Sequence, residues 1–312
     1  MRKIAAVLAL LLAALLPGAL AGDAPIRVVT TAFPVYDWTR QIVGDAGRAE
    51  PVFLLEDGVD MHSWQPSAKD MMTIAGCDLF IFVGGESDAW VEEFLAGSGQ
   101  GVRALSLLDA LGDQALAEEL REGMQAEPEG EEGARDEHIW LSVRNARILT
   151  GAIRDALTEA DPAGAETYAE NAEKYLAALE ALDGEYRAMA EGAPRRTLLF
   201  ADRFPFRYLT EEYGLSYFAA FPGCSAEAEA SFETLLFLVN KVDELELPAI
   251  LTIETGDGRL AASVRDNSRA KDQEILTLNS MQSVTGAQAA AGVTWLSLME
   301  EDLEVLRRAL YG

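Results

Sequence analysis

Two histidines are the only imidazoles in the 312-residue chain, and both sit where a side chain can do chemistry. His62 lies in Asp57-Gly58-Val59-Asp60-Met61-His62-Ser63-Trp64-Gln65-Pro66, between a predicted strand end and the next predicted helix. His138 lies in Asp136-Glu137-His138-Ile139-Trp140, where an acidic stretch meets a helical segment. A histidine taken alone is more often core filler or surface than a ligand. These two share a setting, with carboxylates beside them, an element boundary, and a Trp two residues on. Neutral imidazole is the commonest transition-metal donor, and nearby carboxylates either ligate or fix its tautomer. Cation binding is the chemistry this combination supports.

The rest of the composition narrows the partners. Lys and Arg number 25 against 52 Asp and Glu, a formal net charge of −27. Such a chain repels phosphates instead of releasing their counterions, so nucleic acid is not an expected partner. With 49% hydrophobic residues the chain is globular, not disordered, and long enough for two domains, each with its own core. Two cysteines cannot make a disulfide scaffold or a thiolate zinc cluster. Cys77 enters an apolar run and Cys224 sits in a Pro222-Gly223-Cys224-Ser225 turn. They read as two separate small thiols, with pairing in an oxidising compartment as the alternative.

Met1-Arg2-Lys3 followed by the apolar run 4–16, the Pro17-Gly18 break and Ala19-Leu20-Ala21 has the pattern of an export signal over residues 1–21. A spanning helix needs about 20 apolar residues, and Pro-Gly interrupts this run, although a membrane anchor is the competing reading. No Cys follows the run, so no lipid anchor is expected. The protein is predicted to be exported, periplasmic or extracellular.

Something must hold the two histidines in place. Apolar runs at 26–31, 51–55 and 79–83 read as buried strands, with helices at 35–43, 67–75 and 88–95 between and after them. The alternation returns late in the chain, with strands at 197–201, 217–221, 250–253 and 275–278. Strands alternating with helices predict parallel α/β sheets covered on both faces. A long helix between the two blocks opens at Asp161-Pro162 and runs to about Glu191. Its larger residues, Tyr168, Ala172, Tyr175, Leu179, Leu182, Tyr186 and Met189, fall on one stripe. The organisation expected is an N-terminal lobe over 22–160, a stiff linking helix over 161–192 and a second lobe over 193–312. Val29-Thr30-Thr31-Ala32-Phe33-Pro34 echoes Leu199-Phe200-Ala201-Asp202-Arg203-Phe204-Pro205. The echo predicts pseudo-symmetric lobes with the ligand between them, at the carboxyl ends of the strands.

Gly58-Val59-Asp60-Met61-His62-Ser63-Trp64-Gln65-Pro66-Ser67, with Asp136-Glu137-His138-Ile139-Trp140-Leu141-Ser142, resembles the metal-binding subunits of zinc/manganese ABC importers. The resemblance extends through Asp161-Pro162, Tyr168, Tyr213-Gly214-Leu215 and Leu298-Met299 to Leu303. It implies two α/β lobes joined by one rigid helix, a metal ion between them and delivery to a membrane-embedded ABC permease, with the subunit expected to act as a monomer. It also implies a His or Glu just after the first strand of the second lobe. Phe200-Ala201-Asp202-Arg203-Phe204-Pro205 has no histidine there, so Asp202 is the expected third ligand, an ion pair with Arg203 being the alternative. The fourth family ligand is usually an acid where Leu278-Asn279-Ser280-Met281-Gln282 stands. Asn279 and Gln282 offer only carbonyl oxygens. Glu254 is expected to cap a helix or contact a lobe. Two imidazoles and a carboxylate suit Zn²⁺ with Zn–N near ~2.0–2.1 Å, whereas Mn²⁺, the alternative metal, asks for more oxygen donors.

Residues 118–137 hold nine acids in twenty positions and read as a disordered surface loop, either a solvated charge run or a weak cation collector. Gly84-Gly85 and Gly256-Asp257-Gly258 read as ordinary turns. The rival function is a zinc hydrolase using His62, His138 and Asp202 with Glu137 as base, although no His-Glu-x-x-His helix is present. An adhesin or a metal chaperone on the same fold is a third reading.

Overall fold

Apolar runs rich in branched residues become parallel strands when helices cover both faces of the sheet, and two such sheets organise this chain. The computed structural model describes residues 24–125, 134–225 and 229–312. The expected signal, residues 1–21, lies outside them, as does the middle of the acidic stretch. The first sheet holds β1 (Ile26–Thr30), β2 (Ala49–Phe53), β3 (Leu79–Phe82) and β4 (Ala104–Ser106) in the order β2-β1-β3-β4. The second holds β5 (Thr197–Phe204), β6 (Ser216–Pro222), β7 (Ala249–Ile253) and β8 (Glu274–Leu278) in the order β6-β5-β7-β8. All neighbours are parallel. Each sheet thus repeats one winding, and β1 and β5, which carry the sequence echo, hold the same place in it. The order reverses beside β1 and beside β5, and crevices at such switch points are where ligands bind.

In the first lobe, α1 (Phe33–Val43), α2 (Ala68–Ala75), α3 (Trp90–Ala96) and α4 (Leu107–Leu111) flank the sheet. Then α5 (Val143–Ala160) leads through a 3-10 turn, Pro162–Gly164, into the 28-residue α6 (Ala165–Gly192). The Tyr168-to-Met189 stripe of α6 is buried throughout. The second lobe adds α7 (Arg207–Tyr213), α8 (Phe232–Leu245), α9 (Arg259–Asn267), α10 (Gly286–Ala290) and α11 (Trp295–Tyr311).

The lobes do not keep separate cores. One apolar cluster runs from Val28 and Ile81 through Trp38, Trp140, Tyr186 and Trp295 to Leu251 and Leu278. Smaller clusters lie apart, around Phe80 in one lobe and Leu238 in the other. Polar stitches cross the same seam. Trp140 Nε1 donates to Ser280 O at 2.8 Å, Trp295 Nε1 to Trp140 O at 2.9 Å, and the Trp295 amide to Asp37 Oδ2 at 2.9 Å. No helix among the described residues is long and apolar enough to cross a membrane.

Candidate metal centre

The loop leaving β2 turns through a short 3-10 segment, Met61–Ser63, because Asp60 caps it: Oδ1 accepts the His62 amide at 3.1 Å. The same device recurs at Asp136, whose Oδ1 accepts the His138 amide at 2.9 Å. In both Asp-x-His segments the acid fixes the backbone that carries the imidazole. The Asp136 segment is further pinned by Tyr208 of α7, whose hydroxyl donates to Asp136 O at 2.8 Å and accepts the Leu116 amide at 3.0 Å.

These loops bring the ring tips together, His62 Nε2 to His138 Nε2 at 3.1 Å. The far nitrogens are occupied by carboxylates, His138 Nδ1 by Asp136 Oδ1 at 2.8 Å and His62 Nδ1 by Glu137 Oε1 at 2.9 Å. Ser87 reinforces the second contact: its Oγ donates to Glu137 Oε1 at 2.6 Å and lies 3.0 Å from His62 Nδ1. A carboxylate at Nδ1 holds the proton there and leaves the Nε2 lone pair free. Two such lone pairs facing one another repel unless a cation stands between them. Two nitrogens on a tetrahedral zinc, each about 2.0–2.1 Å away, are about 3.3 Å apart. The observed separation is close to that.

Electrostatics follow the same geometry. Burial pushes the Glu137 carboxyl up, but His62, His138 and Ser87 outweigh it and hold the group at about 2. Burial pushes fully buried His138 down, yet Asp136, Glu137 and Glu118 more than reverse this and set it above its ordinary value. Gly85 is part of the design, not an ordinary turn. A Cβ there would come within 2.8 Å of Glu137 Oε2, and its φ of +86° suits glycine.

Among the described residues, one group of ligating atoms lies mutually within 4.8 Å: His62, His138 and Cys224. Cys224 follows β6, and its Sγ is 3.6 Å from Glu137 Oε1. Burial, then Glu137 and Glu118, push its thiol well above the usual range. A divalent cation inverts that local logic, since a coordinating thiol loses its proton. Both cysteines are free. The sequence reads Cys224 as a separate small thiol, and the signal available for a ligand was its place in a turn just beyond a predicted strand.

Of the three expected oxygen donors, Asp202 and Asn279 are engaged with backbone amides. The strand carrying Asp202 does not stop at residue 201: β5 continues to Phe204 with a register shift between Phe200 and Arg203. Asp202 therefore turns to backbone, Oδ1 accepting the Arg203 amide at 2.9 Å and Oδ2 the Ile253 amide at 3.1 Å. Arg203 pairs with Asp60 instead. Asn279 Oδ1 accepts the Met281 amide at 2.9 Å. Gln282 is buried, with neither side-chain polar atom partnered. Glu254 accepts the Ser280 amide and hydroxyl and the Gln282 amide, so it ties down the loop after β8.

The described ends of the acidic stretch are ordered, contrary to the loop expected there. Glu118 N donates to Ala134 O at 2.7 Å, Gln125 N to Ala220 O at 2.8 Å, and Arg121 stacks on the Tyr217 ring. Alternate apolar and basic residues give this stretch partners on the second lobe that its acid count conceals.

Two like-wound lobes, one long helix and imidazoles converging in the crevice define a metal-cleft solute-binding protein. The chain belongs to the family described as zinc-uptake complex component A, periplasmic (ZnuA), whose profile matches residues 28–309. It is 31% identical over 291 residues to the zinc-binding lipoprotein AdcA of Streptococcus pneumoniae serotype 4, covering 92% of this chain and 56% of that one. The chain thus spans about half the length of the AdcA relatives it matches. It is 29% identical over 289 residues to the high-affinity zinc uptake system protein ZnuA of Bacillus subtilis, covering 91% and 88%. The structure superposes on the Zn(II)-bound ZnuA-like domain of S. pneumoniae AdcA with a TM-score of 0.73 at 29% identity, covering 92% of this chain and all of that one. The periplasmic zinc binding protein TroA of Treponema pallidum shares the fold, with a TM-score of 0.75 at 21% identity and coverage of 92% and 100%.

Proposed function

We propose that this protein captures Zn²⁺ outside the cytoplasmic membrane and hands it to a membrane-embedded ABC permease, acting as a monomeric carrier with the ion as cargo. The observation that carries the reading is the 3.1 Å approach of His62 and His138 Nε2, with both Nδ1 atoms committed to carboxylates. With both rings neutral and a proton on each Nδ1, neither Nε2 has a hydrogen to share, and the pair suits a shared cation. The zinc named for the AdcA and ZnuA relatives supports the choice of metal. So does the donor set, which is poor in free oxygens and therefore poor for manganese.

Capture and release here are ligand exchange, with no bond made or broken in a substrate. The hydrolase reading loses its base: Glu137 is taken up by His62 and Ser87. The test is metal analysis of the purified protein beside a His62→Ala/His138→Ala double variant. One zinc per chain in the parent and none in the variant is the expected result. Equal zinc in both, or none in either, overturns the reading.

A further inference from the structure

Two imidazoles leave a tetrahedral ion short of ligands, and two of the three residues expected to supply oxygen are engaged elsewhere. Asp202 gives both carboxylate oxygens to backbone amides, and Asn279 gives its carbonyl oxygen to Met281. Building on the zinc-capture reading, we propose that Cys224 supplies the third ligand, as a thiolate, so that the cleft is a two-nitrogen, one-sulfur site for zinc-like borderline cations.

Geometry carries this. The Cys224 sulfur and the two histidines form the group whose ligating atoms lie within 4.8 Å of one another. On a tetrahedral zinc, with Zn–S about 2.3 Å and Zn–N about 2.0–2.1 Å, sulfur and nitrogen stand about 3.6 Å apart. From within 4.8 Å, reaching that spacing asks the sulfur to move by about an ångström at most.

The loop is built for that approach. Gly223 passes directly against the His138 ring: a Cβ there would lie 2.7 Å from Cε1 and 3.0 Å from Nδ1. Any other residue would push either the imidazole or the loop aside, and with it the thiol. The carboxylate that orients His62 also lies 3.6 Å from the Cys224 sulfur, so one acid addresses two of the three ligands. Cys77, on the far side of the first lobe at the entry to β3, has no such neighbours in a ligand group.

The consequence is selectivity. Thiolate with imidazole favours zinc, cobalt and cadmium, whereas manganese prefers oxygen donors.

Cobalt(II) reads the ligands directly, because a bound thiolate gives a near-ultraviolet charge-transfer band that imidazole and carboxylate do not. Loaded with cobalt, the protein is expected to show that band together with intense tetrahedral visible bands. In Cys224→Ser the charge-transfer band disappears while cobalt still binds through the histidines, and zinc affinity falls by at least the ~10–100-fold that loss of an outer-shell partner costs. In Cys77→Ser nothing changes. A parent that binds cobalt without the charge-transfer band, or loses it in Cys77→Ser, overturns the thiolate while leaving the histidine site standing. Cobalt bound equally by the His62→Ala/His138→Ala variant overturns the site itself. Alkylation of the unaltered protein guards against misfolding of the serine variant: zinc is expected to slow iodoacetamide at Cys224 at least tenfold and leave Cys77 unaffected. Equal rates at Cys224 with and without bound zinc overturn the proposal.

Discussion

Arg203 of the second lobe reaches the loop that carries His62 and pairs with Asp60, Nη2 to Oδ2 at 2.6 Å. Asp60 uses its other oxygen on the His62 amide, and Arg203 also donates to Thr255 Oγ1 at 3.0 Å and to Ser225 O at 3.4 Å. One guanidinium therefore links the His62 loop, the loop after β7 and the loop that follows Cys224. Burial pushes the Asp60 carboxyl up, but Arg203 and His62 outweigh it and hold it below the usual carboxylate range. The pair is a clasp between the second lobe and the loop that carries His62.

Arg203→Met removes the clasp while keeping much of its bulk. A hydrogen bond to a charged group contributes about 1.5–3 kcal/mol, or roughly ten- to hundredfold in an equilibrium. Zinc release to a chelator is expected to speed up by about that factor. Asp60→Asn, which retains an oxygen for the His62 amide, is expected to give a smaller acceleration. Stopped-flow chelator competition checks both, and unchanged release in Arg203→Met would remove the clasp.

Glu137→Gln tests the orienting carboxylate. Glutamine can still accept from Ser87 but offers His62 Nδ1 no charge. Loss of such an outer-shell partner typically costs about 10–100-fold in metal affinity. The expected result is zinc affinity reduced by that amount with the fold intact by circular dichroism.

Protons compete with the metal for imidazole. Because Asp136, Glu137 and Glu118 raise His138 above its ordinary value against the effect of burial, competition at that ring begins above the usual imidazole pKa of about 6.5. A site needing two neutral imidazoles approaches about a hundredfold loss per pH unit once both are in competition. Zinc affinity measured from pH 8 to 5 is expected to fall with steepening slope, and a flat profile would take the histidines out of the site.

The convergence of His62 and His138 was legible because one local device, Asp-x-His-x-Trp at an element boundary, occurs twice. Most strands were legible too, since parallel strands buried on both faces read as unbroken apolar runs. β4 escaped notice because Ala104–Ser106 is three residues at a sheet edge. The misplacement of Asp202 has a specific cause. Asp-Arg in sequence looks like a strand end, but the register shift after Phe200 lets β5 continue and turns the acid onto β7. Cys224 was opaque because a lone thiol in a Pro-Gly turn carries no periodicity, and what it touches is decided by the packing of two lobes. The shared core was hidden for the same reason: an apolar stripe says that a face is buried, never against which partner.

Asp88 gives a stability prediction for the metal-free protein. It is buried, and its Oδ2 accepts the Gly84 amide at 3.0 Å. Burial pushes its carboxyl up, the Gly84 amide opposes this and Glu137 adds to it, leaving the group at about 7. Unfolded, an aspartate titrates near ~3.9. Between those values the folded state holds the extra proton, so this group makes stability fall as pH rises through the window, with the full cost present above pH ~7. Asp88→Asn keeps the acceptor and never ionises. Its melting temperature relative to the parent is expected to be higher at pH 8 than at pH 4.5, by an amount corresponding to a few kcal/mol at order of magnitude. A pH-independent difference would contradict the assignment.

The shared core bears on how the protein moves. A solute-binding protein whose lobes hinge about flexible strands closes widely on its ligand, and this one has little freedom to do so. At 1.5 Å per residue the 28-residue α6 is a rod of ~42 Å. It is fixed to the first lobe by Asn171 Nδ2, which donates to Ile42 O at 3.1 Å, and to the second by Tyr186, whose hydroxyl donates to Met299 O at 2.7 Å. Trp140, Trp295 and Asp37 stitch the lobes alongside it. Rotating one lobe would expose that apolar seam and break those bonds together. Binding is therefore expected to move loops such as 54–66 and 223–225, leaving the radius of gyration changed by less than about 1 Å, the scale of backbone shift in pre-organised complexes. Small-angle scattering with and without zinc measures this directly, and a large contraction would mean that the seam opens in solution.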